Sequence, residues 1–416
     1  MEAETITTTL EAARRLTIWK QSLSGNIPEG TFKQKVTSII RNTGYIQWDP
    51  VTVVAPSHLI SLWSRIGKFD WSHLDRMMWE DKEAFFHWVP IAWIVLTEDY
   101  PLFYSLMNRY PDSMRKGWAS HAEPARKFMD SRQDLKQKVL KRLREGPAET
   151  GHFKDYAKRK KSPDGWGSGN EVTQLLFHLN MAGEVMVAGH SKNQNVWALT
   201  DDFLPQGTVR SVLPVEELER ITAIRALKAL GVAPEFDIFR YFIRGRYTIL
   251  KDILKQLVEN GEVVNVRIEG QPKSKPLFLL AEDKRVLDAI ISDKWEPRLN
   301  LISPFDNMIT LRDRTKRMFN FDYILEQFVP KEKRKFGTYV LPILWDSSLV
   351  GRVDAKLDKG EKTLKINGVF AEPGFENDAQ IGCKLQERID DFANFLGAER
   401  VIYAEKKPEK WARYLT

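Results

Sequence analysis

One short segment of the chain combines side chains that could hydrolyse a bond: Gln47, Trp48 and Asp49. Alternate side chains of an extended strand share a face, so Gln47 and Asp49 are expected on one side and Trp48 on the other. An amide beside a carboxylate can hold a water molecule, and the carboxylate can accept its proton or stabilise a nearby positive charge. The alternative is structural, since an aspartate before a proline such as Pro50 is common where a strand turns.

The elements around this segment are predicted to be helices. Four stretches have apolar residues at helical spacing: 10–23, 32–40, 59–66 and 74–79. Gly44 permits a turn and Pro50 lacks a backbone donor, so residues 44–50 are expected to form a short strand or loop between helices. The apolar run 85–96 fits a buried strand and a helix equally well.

A longer pattern occurs twice further along the chain. An apolar helix, predicted at 171–182 and again at 247–258, ends at a glycine, Gly183 or Gly261. The sequence Gly-Glu-Val and a stretch typical of a hairpin follow each time. Helices followed by a two-stranded wing are typical of a winged helix, and its recurrence strengthens the interpretation.

Strands predominate after residue 300. They are predicted at 338–342, 349–357, 363–370 and 401–403, with one helix at 385–396. We therefore expect an α+β protein with a more elaborate N-terminal winged-helix-like domain, which contains the candidate segment 47–49, two further winged helices and a C-terminal β-rich domain. The predicted bounds are 1–130, 131–210, 211–292 and 293–416.

The composition excludes several classes of protein. The 416 residues are 43% hydrophobic and 29% charged, as in a globular protein of several domains. The single cysteine, Cys383, and seven scattered histidines predict no disulfide and no metal site. Phosphate-binding glycine motifs are missing, so no cofactor is predicted. Without an apolar stretch of membrane-spanning length or a signal core, the protein is expected to be cytoplasmic.

The excess of positive charge is modest but clustered. Lys and Arg number 63 against 56 Asp and Glu, which gives a net charge of +7. Four segments are especially basic: 115–144, 158–161, 312–317 and 331–335. Such clusters can follow a phosphate backbone. The alternative is a set of solvated helix faces and loops.

Several phrases of the sequence occur together in one known family. They are Gly44-Tyr45-Ile46-Gln47-Trp48-Asp49-Pro50-Val51, Ala55, His58, 62–65, 74–76, Gly165-Trp166, 183–187, 301–306, 319–323, 337–342 and 350–356. In these phrases the chain resembles the YcaQ/AlkZ-type family of alkylpurine and interstrand-crosslink DNA glycosylases. The phrases follow the family's order over roughly residues 8–400.

The resemblance implies a fold and a catalytic pair. The fold is a C-shaped arrangement of three tandem winged helices braced by a C-terminal β-barrel-like domain. The catalytic pair is Gln47 and Asp49, which match the family signature of Gln, an apolar residue, and then Gln or Asp. The middle residue here is Trp48, bulkier than the usual aliphatic one. The family often has a His two residues after the position of Trp88, where this sequence has Pro90, so no role for that histidine is carried over.

The resulting prediction is a monofunctional DNA glycosylase, acting as a monomer on N7-alkylated purines in double-stranded DNA, interstrand crosslinks included. Residues expected to contact DNA are Trp48, His58, Arg115, Lys116, Arg126, Lys127, Arg312 and Arg314. Asp306 is expected to fix local structure. Two alternatives remain: a non-catalytic winged-helix regulator, and a resistance protein that sequesters an alkylating toxin.

Overall fold

The computed structural model describes residues 4–88, 91–156, 171–191, 194–271 and 275–416. Three features of the sequence analysis lie outside these residues: Pro90, the phrase Gly165-Trp166 and the basic segment 158–161. Among the helices of the described ranges, none has both the length and the apolar composition needed to cross a membrane.

The described residues form sixteen α-helices and fifteen strands. The helices are α1 (Leu10–Lys20), α2 (Phe32–Thr43), α3 (Ser57–Ile66), α4 (Ser72–Asp75), α5 (Tyr100–Met107), α6 (Ala122–Asp130), α7 (Gln133–Leu143), α8 (Glu171–Met181), α9 (Thr200–Phe203), α10 (Val215–Leu230), α11 (Glu235–Tyr241), α12 (Leu250–Glu259), α13 (Lys284–Ile291), α14 (Arg312–Phe319), α15 (Ala379–Leu396) and α16 (Glu409–Ala412). The strands are β1 (Thr5–Thr8), β2 (Ile46–Gln47), β3 (Ala84–Trp88), β4 (Ala92–Leu96), β5 (Ala148–Glu149), β6 (Val185–Ser191), β7 (Gln194–Leu199), β8 (Ala233–Pro234), β9 (Val263–Ile268), β10 (Leu277–Leu280), β11 (Asn300–Leu301), β12 (Val340–Trp345), β13 (Ser348–Asp358), β14 (Thr363–Ala371) and β15 (Arg400–Tyr403).

Local sequence patterns predicted most of these elements. Helices α2, α3, α8 and α12 occupy the predicted helical stretches to within three residues at either end, and α15 begins six residues before the predicted stretch 385–396. Helix α1 ends at Lys20 rather than Leu23, because Ser22 has the left-handed backbone conformation with φ 55°. In the run 85–96, which fitted both a strand and a helix, the described residues form the paired antiparallel strands β3 and β4.

The chain divides into two compact units. The first unit comprises Met1–His73, Ala223–Phe242 and Leu250–Thr416, and the second unit comprises Leu74–Thr222 and Ile243–Ile249. The segment with Gln47 and Asp49 therefore belongs to the first unit. Of the predicted DNA contacts, Arg115, Lys116, Arg126 and Lys127 belong to the second unit.

The first unit contains two sheets. One has the strand order β1-β9-β10-β8, in which the N-terminal strand β1 runs parallel to β9. The other has the order β11-β12-β13-β14-β15 and is antiparallel as far as β14. Strands β14 and β15 are parallel, which requires a crossover connection, and α15 supplies it. Helix α15 buries Leu385, Ile389 and Phe392, the apolar positions that predicted it.

The second unit contains a sheet with the order β4-β3-β6-β7-β5, and its hairpin β6–β7 follows α8. In the first unit, the hairpin β9–β10 follows α12 in the same way. Gly183 and Gly261 lie just after the two helices with φ of 74° and 73°, which glycine adopts without steric cost. The next amide, of Glu184 or Glu262, donates to a carbonyl of the last helical turn. Both predicted C-cap glycines are therefore confirmed.

Candidate active site

The candidate catalytic segment leaves a helix whose two ends are well defined. Helix α2 begins with a capping box, in which Thr31 Oγ1 accepts from the Gln34 amide and Gln34 Oε1 accepts from the Thr31 amide. It ends at Gly44, whose φ is 84°. A Cβ atom at Gly44 would lie 2.8 Å from the Phe242 ring, so glycine is required for space as well as for conformation. This helix end fixes the direction in which residues 45–49 continue.

Stacked and buried rings hold the residues on either side of Gln47. The Tyr45 ring is buried, with its centroid 5.6 Å from that of Tyr241. Gln47 is 8% exposed in β2, whereas Trp48 is half-buried. The Trp48 ring stacks on His58 of α3, with 4.1 Å between centroids and 8° between planes. His58 thus lies within α3 and against the candidate segment.

Asp49 is held at its backbone and at one carboxylate oxygen. Its carbonyl accepts from the Ser57 amide at 3.1 Å, at the start of α3. Its Oδ1 accepts from the Val51 amide at 2.9 Å, which is the local bond expected of a turn-forming aspartate. Burial raises the pKa of Asp49, and the Val51 amide opposes this rise only in part. A half-buried carboxylate with a raised pKa is a suitable general base.

Three hydroxyl groups, of Ser57, Ser303 and Tyr339, form a cluster next to the Asp49 segment, and the sequence analysis did not assign them to the site. Ser57 Oγ and Ser303 Oγ are 2.6 Å apart, and both side chains are fully buried. Burial raises the pKa of the Tyr339 hydroxyl, while the hydroxyls of Ser303 and Ser57 lower it and the charge of Asp49 raises it. Tyr339 lies in the family phrase 337–342, which was the one sequence signal pointing to it. The site therefore combines the start of α3 with two residues between β11 and β12 of the second sheet.

A buried ion pair supports the same region. Asp306 accepts from Arg65 Nη1 at 2.7 Å and from Nη2 at 2.9 Å, and its Oδ1 also accepts from the Met308 amide. Burial alone would raise the pKa of Asp306, but the charge and hydrogen bonds of Arg65 hold it below its usual value. Arg65 also donates to the carbonyls of Gln21 and Ser61. The predicted structural role of Asp306 is confirmed.

The basic residues predicted on the second unit differ in their surroundings. Arg126 donates at 2.6 Å to both Asp112 and Glu123, and these bonds raise the pKa of Arg126. Lys127 lies 3.6 Å from the same Glu123. Arg115 lies with its guanidinium carbon 4.7 Å from the centroid of the Trp118 ring, and the neighbouring Lys116 is exposed. The charge of Arg126 is thus largely neutralised within the protein.

The two arginines predicted on α14 are occupied by backbone carbonyls. Arg312 donates to the carbonyls of Ile309 and Pro304. Arg314 is 5% exposed and donates to the carbonyls of Leu230 and Val232. Withdrawing either guanidinium would leave buried acceptors unpaired, which is costly. We therefore assign both arginines a structural role in place of the predicted DNA contact.

The sequence of the chain matches the model of one known protein family. The family model described as DNA glycosylase AlkZ-like matches residues 40–395. The chain belongs to the AlkZ-like DNA glycosylase family. This confirms the resemblance that the sequence phrases indicated, and it supports DNA as the substrate of the AlkZ-like chain.

A solved structure agrees with the AlkZ-like assignment at the level of the fold. The DNA glycosylase AlkZ of Streptomyces sahachiroi is similar with a TM-score of 0.64 and 14% sequence identity, over 96% of this chain and 100% of that chain. At this identity the likeness concerns the mixed α and β fold alone. Gln47, Asp49, Ser57, Ser303 and Tyr339 all lie within the residues that the AlkZ-like family model matches.

Proposed function

We propose that this AlkZ-like protein is a monofunctional DNA glycosylase that hydrolyses the N-glycosidic bond of N7-alkylated purines, interstrand crosslinks included. The observation that carries the proposal is the environment of Asp49. One oxygen of its carboxylate is fixed by the Val51 amide, its pKa is raised by burial, and Gln47 lies two residues before it on β2. These are the features required to activate one water molecule at a fixed position.

The chemistry of the substrate matches a single carboxylate without a metal or a general acid. Alkylation at N7 gives the purine a positive charge and makes it a good leaving group without protonation. The enzyme must stabilise the positive, oxocarbenium-like sugar and supply water. Asp49 does both, since its charge faces the sugar and its free oxygen accepts the water proton. Gln47 orients that water without adding charge, and residues 44–51 contain no lysine for a Schiff base.

The architecture that we propose is three tandem winged helices followed by a β-barrel-like domain, with the bounds 1–130, 131–210, 211–292 and 293–416. The two helix–glycine–hairpin units at α8 and α12 support it. We propose that the protein acts as a monomer.

Repair of interstrand crosslinks sets a further requirement on the site. A crosslinked base cannot be flipped away from the opposite strand, so the site that accepts it must be open.

The DNA contacts that we propose fall into two kinds. Trp48, whose ring stacks on His58, offers an aromatic surface next to Asp49 against which the alkylated base can stack. Arg115, Lys116 and Lys127 offer positive charge to the phosphate backbone. Arg126 is left out of these contacts, because Asp112 and Glu123 already neutralise it.

The function is tested by incubating the protein with duplex DNA methylated at N7 of guanine. We expect release of free 7-methylguanine, with the sugar–phosphate backbone left uncut. The matched control is the same duplex without methylation, which should release no base. Salt-dependent binding without release would favour the winged-helix regulator. Binding of a free alkylating toxin without release would favour the sequestering protein.

The rate of base release is expected to fall at acid pH, from a higher pH than an ordinary aspartate would require. Burial raises the pKa of Asp49, so the carboxylate takes up a proton at a higher pH than usual. A general base must be ionised, so kcat/KM falls about tenfold for each pH unit below its pKa. The measurement is the pH profile of kcat/KM, with spontaneous base loss subtracted at each pH. An acid limb that persists unchanged in Asp49→Asn would assign the titration to another group.

A further inference from the structure

Two segments of the second unit bring three arginines together. Arg115 lies on the segment 113–118, and Arg244 and Arg246 lie on the segment 243–246. The Lys116 amide donates to the Gly245 carbonyl at 3.3 Å, which joins the two segments. Arg246 Nε donates to the Ser113 carbonyl at 2.8 Å and ties them together a second time. The three guanidinium groups therefore belong to one structural feature, which we call the arginine cluster.

The positive charge of the arginine cluster is concentrated. Burial and the charge of Arg244 lower the pKa of Arg115, and burial with the charges of Arg115 and Arg244 lowers the pKa of Arg246 to about 10. Within the described ranges of the chain, no ion pair joins Arg115 or Arg246 to an acidic side chain. Arg126 differs, because Asp112 and Glu123 neutralise it. Mutual repulsion of this kind is relieved when an anion binds.

Aromatic rings and the backbone fix the positions of these charges. The guanidinium carbon of Arg115 lies 4.7 Å from the centroid of Trp118, which is 38% exposed, and that of Arg244 lies 5.4 Å from the centroid of Trp93. Arg244 has φ 46°, a left-handed conformation that is uncommon for a residue other than glycine and often occurs at binding sites. Arg246 donates from Nε to the Ser113 carbonyl and from Nη1 to the Ile243 carbonyl, which fixes its guanidinium between the two segments.

We propose that Arg115, Arg244 and Arg246 form a binding site for phosphodiester groups of the DNA backbone. The proposal rests on the proposed function for its ligand, because it takes duplex DNA as the substrate. Arg115 and Arg244 bind the phosphate oxygens, and Arg246 positions the two segments and adds charge. Guanidinium groups suit phosphate because their planar donors match two oxygens at once. Such contacts fix the register of the protein on the duplex without reading its sequence.

The test measures binding of a fluorescently labelled, undamaged duplex over a range of salt concentrations. For the double variant Arg115→Gln/Arg244→Gln, we expect the slope of log K against log salt to fall by about 0.9 for each phosphate that the protein no longer neutralises. Affinity near 0.1 M salt should fall roughly tenfold for each of these phosphates. The double variant Arg115→Lys/Arg244→Lys keeps both charges, so its slope should stay close to that of the wild type.

The matched control is Arg126→Gln on the same unit, whose charge is already neutralised, and its slope should not change. A wild-type slope in the double Gln variant, or an equal fall in Arg126→Gln, would overturn the proposal. Thermal unfolding shows whether each variant keeps its fold. If the double Gln variant unfolds, the single variant Arg115→Gln replaces it in the binding measurement, because the Arg115 side chain packs on the exposed Trp118 and its loss should not disturb the fold. Base release from methylated DNA is measured separately. A reduced slope without any release would contradict the glycosylase and leave the phosphate site standing.

Discussion

The variant Asp49→Asn is expected to release 7-methylguanine about 10²–10⁴-fold more slowly than the wild type, the usual effect of losing a positioned general base. The substitution removes the charge that would stabilise the sugar and the oxygen that would accept the water proton. An asparagine can still accept the bond from the Val51 amide that Asp49 Oδ1 accepts at 2.9 Å. The local structure should therefore persist, and the loss should appear in kcat more than in DNA binding.

The control for this result is Asp358→Asn, which removes a carboxylate of the same unit that pairs with Lys365 at 2.9 Å. Its rate of base release should equal that of the wild type, as should its unfolding temperature. Equal rates for Asp49→Asn and the wild type would keep the glycosylase but remove Asp49 from its catalytic role. A loss of similar size in Asp358→Asn would point to a general effect of charge.

The candidate site could be predicted from the sequence only where its chemistry is local. Gln47 and Asp49 are two residues apart in sequence, so alternation along an extended segment was enough to propose them as a pair, although β2 itself ends at Gln47. Ser57 is close in sequence, but Ser303 and Tyr339 come from segments more than 240 residues away. No periodicity relates residues at that separation, and only the folded structure shows that their hydroxyls form a cluster next to the Asp49 segment.

The same limit applies to the charges. The segment 312–317 is strongly basic, which indicates an exposed helix face, but α14 directs Arg314 towards α1 and the backbone near Leu230. A sequence gives the charge of a residue and not the partners that it meets. The same is true of strand β1, which the sequence did not predict. This short Thr-rich strand is stabilised by pairing with β9, which lies far along the chain. Helices and their glycine caps were predictable because both depend on neighbouring residues.

The variant Asp306→Asn is expected to lower the free energy of unfolding by about 3–5 kcal/mol, because it leaves a buried charge without its partner. Arg65 and Asp306 are almost completely buried, and two hydrogen bonds join them. An asparagine keeps the shape of the site and can accept from the Met308 amide, so the loss reports the ion pair itself. The measurement is urea denaturation of the wild type and the variant.

The matched control is Asp313→Asn, since Asp313 also pairs with an arginine of the first unit, Arg240, but at the surface. A surface pair contributes at most about 1 kcal/mol to stability, so equal losses in the free energy of unfolding of the two variants would contradict the importance of burial.

The pH dependence of stability gives a second check on Asp306. Because its pKa is lower in the folded protein than in the unfolded chain, its stabilisation is present above the unfolded pKa and is lost as the pH falls through the folded pKa. The difference in stability between wild type and Asp306→Asn should therefore be constant near neutral pH and shrink below about pH 4.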